Sequence, residues 1–530
     1  MKIMDTDCLV IGYGVAGGSY ALMAAREGLD VVLLSADEPP RGANSDWAQG
    51  GIIFHEEKDM AQLKEDIMKA SDHTANPEAV DALARYGPET VRKLLLEELE
   101  IPFDHEETGE LKYTREGGHS NRRIIYSKDS TGHSILSGIH QAVERDSRIH
   151  VITKAVAIDL VTLSHNSVNP LDRYKPLTCI GAYYLDLESE ETIAVRARKT
   201  ILATGGCGQV FLHTTNQKGA VGHGIAMAYR VGARVIDMEY VQFHPTAFAR
   251  KNCPVFLISE ALRGEGAVLV NSEGEPFLEK RHEMGSLAPR DIVARSIQEE
   301  MANRNDTCVY LDLSSMDPAK TRDRFPYLYE RCLKYGIDFT KDPVPVSPAA
   351  HYLCGGIHTN MEGRTNILNL NAIGECASTG LHGANRLAST SLLECLVGAR
   401  LTVEADAAEI RDREFYLPGI KPWESPEPKA NTTLIKQDMA LIQNTMWNYV
   451  GLIRSPRRLE RARKILKELK AEVNQFYAGN RLNRPLLELR NALQTAQIIV
   501  YGASMNTVSK GCHFLSSDSE EPRKPLTQKV

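Results

Sequence analysis

Ligand sets for iron–sulfur clusters and zinc are missing from this chain. Its ten cysteines are scattered over 530 residues with no Cys-x-x-Cys, so any redox reaction it runs depends on an organic cofactor. The scatter also fits reduced thiols, which makes a cytoplasmic location the expectation. No apolar run approaches the roughly 18 residues of a membrane span. The opening, Met1 to Val10, lacks the basic stretch and long apolar core of a secretory leader. Charge of one sign is scarce as well: 62 Lys and Arg against 69 Asp and Glu leave −7 overall. With no aromatic-studded basic patch, nucleic acid is not an expected partner. No internal repeat is present.

What is present is length, too much for one hydrophobic core, so two or three domains are expected. Residues 7–11 read as a buried parallel strand, 14–28 as a helix and 30–34 as the next strand, a βαβ opening. A second Gly-rich strand end follows at Thr200-Ile-Leu-Ala-Thr-Gly-Gly206. Polar, turn-rich sequence then interrupts short apolar runs until Gly-rich sequence returns after Gly355. Four prolines (418, 422, 426 and 428) mark a linker. Beyond it Leu459, Ala462, Leu466, Leu469, Val473 and Phe476 form one helical stripe, and Leu486, Leu489, Leu493, Ala496 and Val500 another. The expected architecture is α/β, with a Rossmann-like domain in two parts (1–235 and 349–417), an inserted α+β segment (236–348) and a C-terminal helical bundle (418–530). The polar tail after Phe514 is expected to fray. Eight Lys and Arg between Arg454 and Lys470 read as a solvated helix face, with attraction of a partner or of an anionic substrate as the other reading.

The first motif is Gly12-Tyr13-Gly14-Val15-Ala16-Gly17. Gly12 permits a tight turn, Gly14 admits a pyrophosphate, and Gly17 lets the helix pack on the strand, with the helix N-terminus facing the anion. The acidic residue expected about 20 positions on is displaced: Ser35 stands at the strand end, and Asp37 and Glu38 come late for a ribose contact. Downstream, Asn44-Ser45-Asp46-Trp47-Ala48-Gln49-Gly50-Gly51 brings bare backbone near something flat and bulky, which points to a flavin rather than a nicotinamide. Glu375 follows a short strand and can accept from a ribitol or ribose hydroxyl. Ser389-Thr390-Ser391-Leu392-Leu393-Glu394 begins a helix whose positive end suits a reduced flavin, with Ser391 and Leu392 as cofactor contacts, although Ser391 also reads as a plain N-cap.

These motifs, with REGGHSNRRI, QFHPTAF, EALRGEGA, LAPRDIVAR, PAAHYLCGG and GLHGANRLASTSLLECL in order, resemble those of the L-aspartate oxidases, a branch of the succinate dehydrogenase/fumarate reductase flavoproteins. The resemblance runs from about residue 5 to about 514. It implies an FAD domain, a mobile cap and a helical domain. It further implies oxidation of L-aspartate to iminoaspartate as the first step of de novo NAD biosynthesis. O2 or fumarate would be the acceptor, and quinolinate synthase a possible transient partner. Membrane-bound succinate dehydrogenases carry a flavin-linked His where this chain has Asn44, so the FAD is expected to be non-covalent.

For a C4 dicarboxylate the resemblance implies Arg386 and His351 at one end, and His244 and Arg290 nearer the other, as cationic forks. Ser259 (usually Thr in similar enzymes), Glu260, Arg263 and Glu265 come next. Glu116 stands where dehydrogenases carry a neutral residue, and a carboxylate there can bind an α-ammonium that succinate lacks. Arg290 resembles the family's proton donor; as a base it is unsuited, because guanidinium groups stay protonated in proteins. Gly222-His223-Gly224 departs from the usual Gly-Asp-Gly, so weaker or more pH-dependent FAD binding is expected. Two other readings stand beside this one, a soluble fumarate reductase and a flavin-binding scaffold without turnover.

Overall fold

Short apolar runs, buried on both faces, build the central sheet. β1 (Ile3–Ile11) becomes fully buried over its last four residues. It is followed by α1 (Val15–Arg26), β2 (Val31–Leu34), β3 (Ile149–Ile152), β4 (Ala155–Thr162), β5 (Cys179–Asp186) and β6 (Thr192–Leu202). The computed structural model describes residues 2–39, 42–424 and 426–516; the tail expected to fray lies, from 517 on, outside the described residues.

The sheet order is β3-β2-β1-β6-β5-β4. β6 changes partner along its length. Its first half pairs antiparallel with β5, and Thr200–Leu202 pair parallel with a later strand, Leu370–Ala372. Leu34, Ile11, Leu202 and Ala372 stand in register on parallel strands. The chain therefore leaves four strands at one edge, and residues 12–16, 35–37, 203–205 and 373–375 line a single cavity there. Ligands of open α/β sheets bind beyond the carboxyl ends of parallel strands for this reason.

A second sheet, order β7-β10-β9-β8, contains β7 (Val241–Phe248), β8 (Val268–Val270), β9 (Val309–Asp312) and β10 (Val344–Leu353). Phe248 and Val346 pack with Phe256, Leu262, Val293 and Phe325 in a core of their own. Val241, Phe243, Ala350 and Leu353 belong instead to the large core of the first sheet. The paired strands β7 and β10 thus run from one core into the other. The insertion expected to begin at 236 has Met238, Val241 and Phe243 in the large core, and the expected return at 349 falls inside β10. The inserted segment also holds α2 (Glu260–Gly264) and α3 (Arg290–Arg304).

α4 (Ser391–Asp412) returns to pack on α1, and α5 (Thr432–Val450), α6 (Pro456–Gly479) and α7 (Arg484–Met505) follow. Both expected stripes are buried except Phe476, which is half-buried. The three helices do not make a free-standing bundle: Ile442, Met446, Leu489 and Ala496 share one core with Leu9, Leu202 and Met227. The basic stripe also needs correction at its start. Arg454 is wholly buried, donating to the carbonyls of Val450, Gly451 and Glu239, whereas Arg457, Arg458, Arg461 and Arg463 face solvent. Among the described residues no helix is long and apolar enough to cross a membrane.

Candidate active site

Gly12 takes φ +114°, which a side chain would resist, and a Cβ on Gly17 would lie 1.9 Å from the Gly12 carbonyl oxygen. That close approach seats the start of α1 at the cavity. The helix has no side-chain cap and no acidic residue in its first turn, so its N-terminal N–H groups remain suited to an anion. Every predicted cofactor contact lines the cavity except Gly17, which packs inward, and Asp46, which pairs with His133 at 2.8 Å. Asp46 is therefore corrected to a helix-docking contact. The expectation for Gly50 and Gly51 also changes. A Cβ on Gly50 would strike the Glu116 carboxyl, and one on Gly51 would strike Ile124 and Ile125. These glycines make room for protein neighbours.

Several groups fit a flavin dinucleotide. Gln49 Oε1 and Tyr13 Oη are buried with no partner among the described residues. Asn44 accepts from the Gln217 N–H at 2.8 Å and offers no nucleophile for a covalent link. Glu375 accepts from the Leu353 N–H at 3.0 Å, and burial raises its pKa to about 7, as suits a carboxyl awaiting a hydroxyl donor. Ser391 is not an N-cap; it is the first residue of α4, and its Oγ accepts from Arg386 at 3.1 Å.

At the far end Asp37 lines the cavity and pairs with Arg484 of α7 at 2.6 Å, while Glu38 turns to Lys154 at 2.8 Å. His223 lines the cavity too, with Nδ1 2.8 Å from Asn491 Nδ2. Burial, reinforced by Arg484 and Arg230, lowers its pKa to about 4. A value that low leaves the imidazole neutral at neutral pH in the flavin-free chain.

The substrate end brings together residues from six separate stretches of the chain. Arg290, His244, His351, Arg386, Glu116, Ser259 and Glu260 all line the same cavity. Arg290, the first residue of α3, donates from Nε to Glu260 Oε2 at 2.5 Å and from Nη1 to Gln242 Oε1 at 3.2 Å. Arg386 Nη2 reaches the same Gln242 oxygen, also at 3.2 Å. One amide oxygen thus sets the spacing of two guanidinium groups. Gln242 is fully buried, its amide nitrogen held by Asn385 and the Arg386 carbonyl.

Ser259 caps α2, accepting from the Ala261 N–H. Glu260 follows it and pairs with Arg290 and Arg263; although burial opposes ionisation, Arg290 and Arg263 lower its pKa to about 2. Arg263 is buried and donates to the Ser286 carbonyl, whereas Glu265 does not line the cavity. Glu116 shows the opposite behaviour. It is buried, accepts from Ser389 Oγ at 2.7 Å, and has no ion-pair partner among the described residues. Burial raises its pKa, with Arg290 acting against the rise.

The imidazoles are not cationic forks. Burial first, and then Arg290 beside His244 and the adjoining His244 ring beside His351, hold both well below the ordinary histidine value. His244 Nδ1 lies 3.2 Å from both the N–H and the carbonyl oxygen of Thr246. His351 Nδ1 lies 2.8 Å from Thr215 Oγ1, and the two rings meet at 5.2 Å. Loss of water around both rings is the main cause of that lowering.

Gln242, Ser389, Tyr352 and Arg484 were missed from the sequence. The first three adjoin chosen residues inside quoted motifs, so motif position held a signal for them. Arg484 sits in a plain helix far along the chain and had none.

Residues 7–392 match a family described as FAD binding domain, and 439–523 one described as fumarate reductase flavoprotein C-term. The chain is 41% identical to L-aspartate oxidase 1 of Ralstonia nicotianae over 524 residues, covering 96% of this chain and 95% of that protein. It is 40% identical to L-aspartate oxidase of Pseudomonas aeruginosa over 526 residues, 96% and 94% of the two chains. A quinol fumarate reductase chain of E. coli superposes with a TM-score of 0.86 at 25% identity, over 99% of this chain and 93% of that one.

Proposed function

The chain belongs to the L-aspartate oxidase family of FAD-dependent flavoproteins, and from that membership we propose how its residues oxidise L-aspartate to iminoaspartate. The reaction opens NAD biosynthesis. Bound non-covalently, FAD supplies the acceptor for the two electrons and the hydrogen of Cα. The protein supplies grip, orientation and exclusion of water.

Arg386 and His351 hold one carboxylate, and Arg290, His244 and Ser259 hold the other, each imidazole donating a ring N–H. Glu260 keeps Arg290 charged and aimed, so that it clamps the substrate in aspartate oxidation and donates a proton in fumarate reduction. Glu116 takes the α-ammonium; the ion pair restores the charged form of a carboxyl that is otherwise buried without a counter-ion. At the cofactor end the N-terminus of α1 faces the diphosphate, and Glu375 accepts from a sugar or ribityl hydroxyl. Electrons leave to O2, giving hydrogen peroxide, or to fumarate, giving succinate. Because iminoaspartate hydrolyses readily, a transient contact with quinolinate synthase is part of the proposal.

The observation that carries this reading is a buried guanidinium and a buried carboxyl in one cavity, Arg386 and Glu116, neither in a direct ion pair with a protein group among the described residues. An amino diacid supplies both missing partners. The test is anaerobic addition of L-aspartate, which should bleach the flavin absorbance. No bleaching with fumarate still reduced would make the chain a soluble fumarate reductase. Loss of both activities would leave a binding scaffold.

A further inference from the structure

Arg386 is buried in the cavity with no carboxylate paired to it among the described residues. Nη1 donates to Ser391 Oγ at 3.1 Å, Nη2 donates to Gln242 Oε1 at 3.2 Å, and Nε has no partner among the described residues. Two neutral oxygens are weak direct compensation for a desolvated cation, and Glu375 and Glu394 act on it only from beyond ion-pair distance. The remaining contact is an aromatic face: the guanidinium carbon lies 4.2 Å from the centre of the Tyr352 ring. That ring is fixed at its far edge. Tyr352 Oη donates to Glu394 Oε2 at 2.9 Å and lies 3.2 Å from His382 Nε2, and His382 Nε2 and Glu394 Oε2 are themselves 2.9 Å apart. Glu394 stands in the first turn of α4, so the triangle ties the ring to the helix whose first residues line the cavity.

We propose that Tyr352 is a positioning residue for the substrate carboxylate, a π platform that holds Arg386 charged and aimed while leaving its donors free. This rests on the dicarboxylate reading above. The physical reason lies in where the negative charge sits. A carboxylate touching Arg386 directly would occupy the fork and compete with substrate. Glu394 instead draws on the phenol proton, enriches the ring and presents that electron density to the guanidinium through its face. The cation is stabilised, and its fork toward the cavity stays open. His382 holds the carboxylate end of the relay and touches neither Arg386 nor the substrate position.

The experiment measures malonate binding by perturbation of the flavin spectrum, because this dicarboxylate has no carbon–carbon bond to desaturate. A desolvated cation–π contact corresponds to roughly tenfold or more in affinity. Tyr352→Leu, which removes the face, should raise the malonate Kd and the KM for L-aspartate about tenfold, with kcat changed less than about threefold. Tyr352→Phe keeps the face and loses the tether, so about threefold is expected in Kd. All readings are taken on FAD-loaded protein. A merely structural role would lower the melting temperature of both variants without separating KM from kcat. If Tyr352→Leu binds malonate like the parent, or Tyr352→Phe is as impaired as Tyr352→Leu, the platform is wrong. If the unmodified protein binds no malonate, the dicarboxylate site itself is wrong, a separate failure.

Discussion

The two sides of the substrate cavity treat buried charge in opposite ways. On the side of the inserted segment, Arg290 and Glu260 are paired at 2.5 Å, with Arg263 behind them, and Glu260 is driven down to about 2. On the side of the first sheet, Arg386 rests on a ring and Glu116 on a serine hydroxyl, and burial raises the Glu116 pKa. Residues of the same type thus sit in similar depth with different support. The paired side keeps its charges whether or not substrate is present. The unpaired side is unfavourable until an ammonium and a carboxylate arrive, and of these only the ammonium at Glu116 distinguishes aspartate from succinate.

Breaking the unpaired side should have the largest effect. Arg386→Met should lower kcat/KM for L-aspartate on the order of 10³-fold, as truncating one partner of a buried charge pair does. FAD content should be unchanged; loss of the flavin as well would mean that Arg386 serves the cofactor. Next comes Glu116→Gln, which should lower aspartate oxidation about a hundredfold while fumarate reduction with a reduced dye falls only a few-fold. Equal losses in the two assays would remove Glu116 from ammonium binding.

The paired side should fail through stability. Glu260→Gln leaves Arg290 and Arg263 uncompensated and should cost about 3 kcal/mol of local stability. Faster proteolysis within the inserted segment would report it, and unchanged cleavage would show that the pair is dispensable there. The smallest effect concerns Glu375. Its ordinary value of 4.5 rises to about 7 in the folded chain. The stability it contributes is complete below pH 4.5 and is lost as pH rises through about 7. Protein stripped of flavin should therefore melt a few degrees lower at pH 8 than at pH 5. Glu375→Gln should flatten that slope; a slope left intact would assign it to another group.

Much of the frame is legible locally. The βαβ opening follows from an apolar run, Gly12 and a second apolar run, and the stripes of α6 and α7 follow from spacing alone, because period and turn chemistry are local properties. Asp46 went wrong because its partner, His133, is remote in the chain. Gly50 and Gly51 line the cavity, but the atoms that leave no room for a Cβ there belong to Glu116, Ile124 and Ile125, which no local reading shows.

By itself the sequence determined the fold class, the family, the flavin and the residue types of the site, since order and spacing of motifs survive without coordinates. Tertiary structure alone decided titration and aim: that burial pulls His244 and His351 well below the ordinary histidine value, that Gln242 sets two arginines apart, that Arg484 reaches Asp37, and that Tyr352 lies under Arg386. Protonation and orientation depend on excluded water and on neighbours from distant segments, and neither is written in any short stretch of chain.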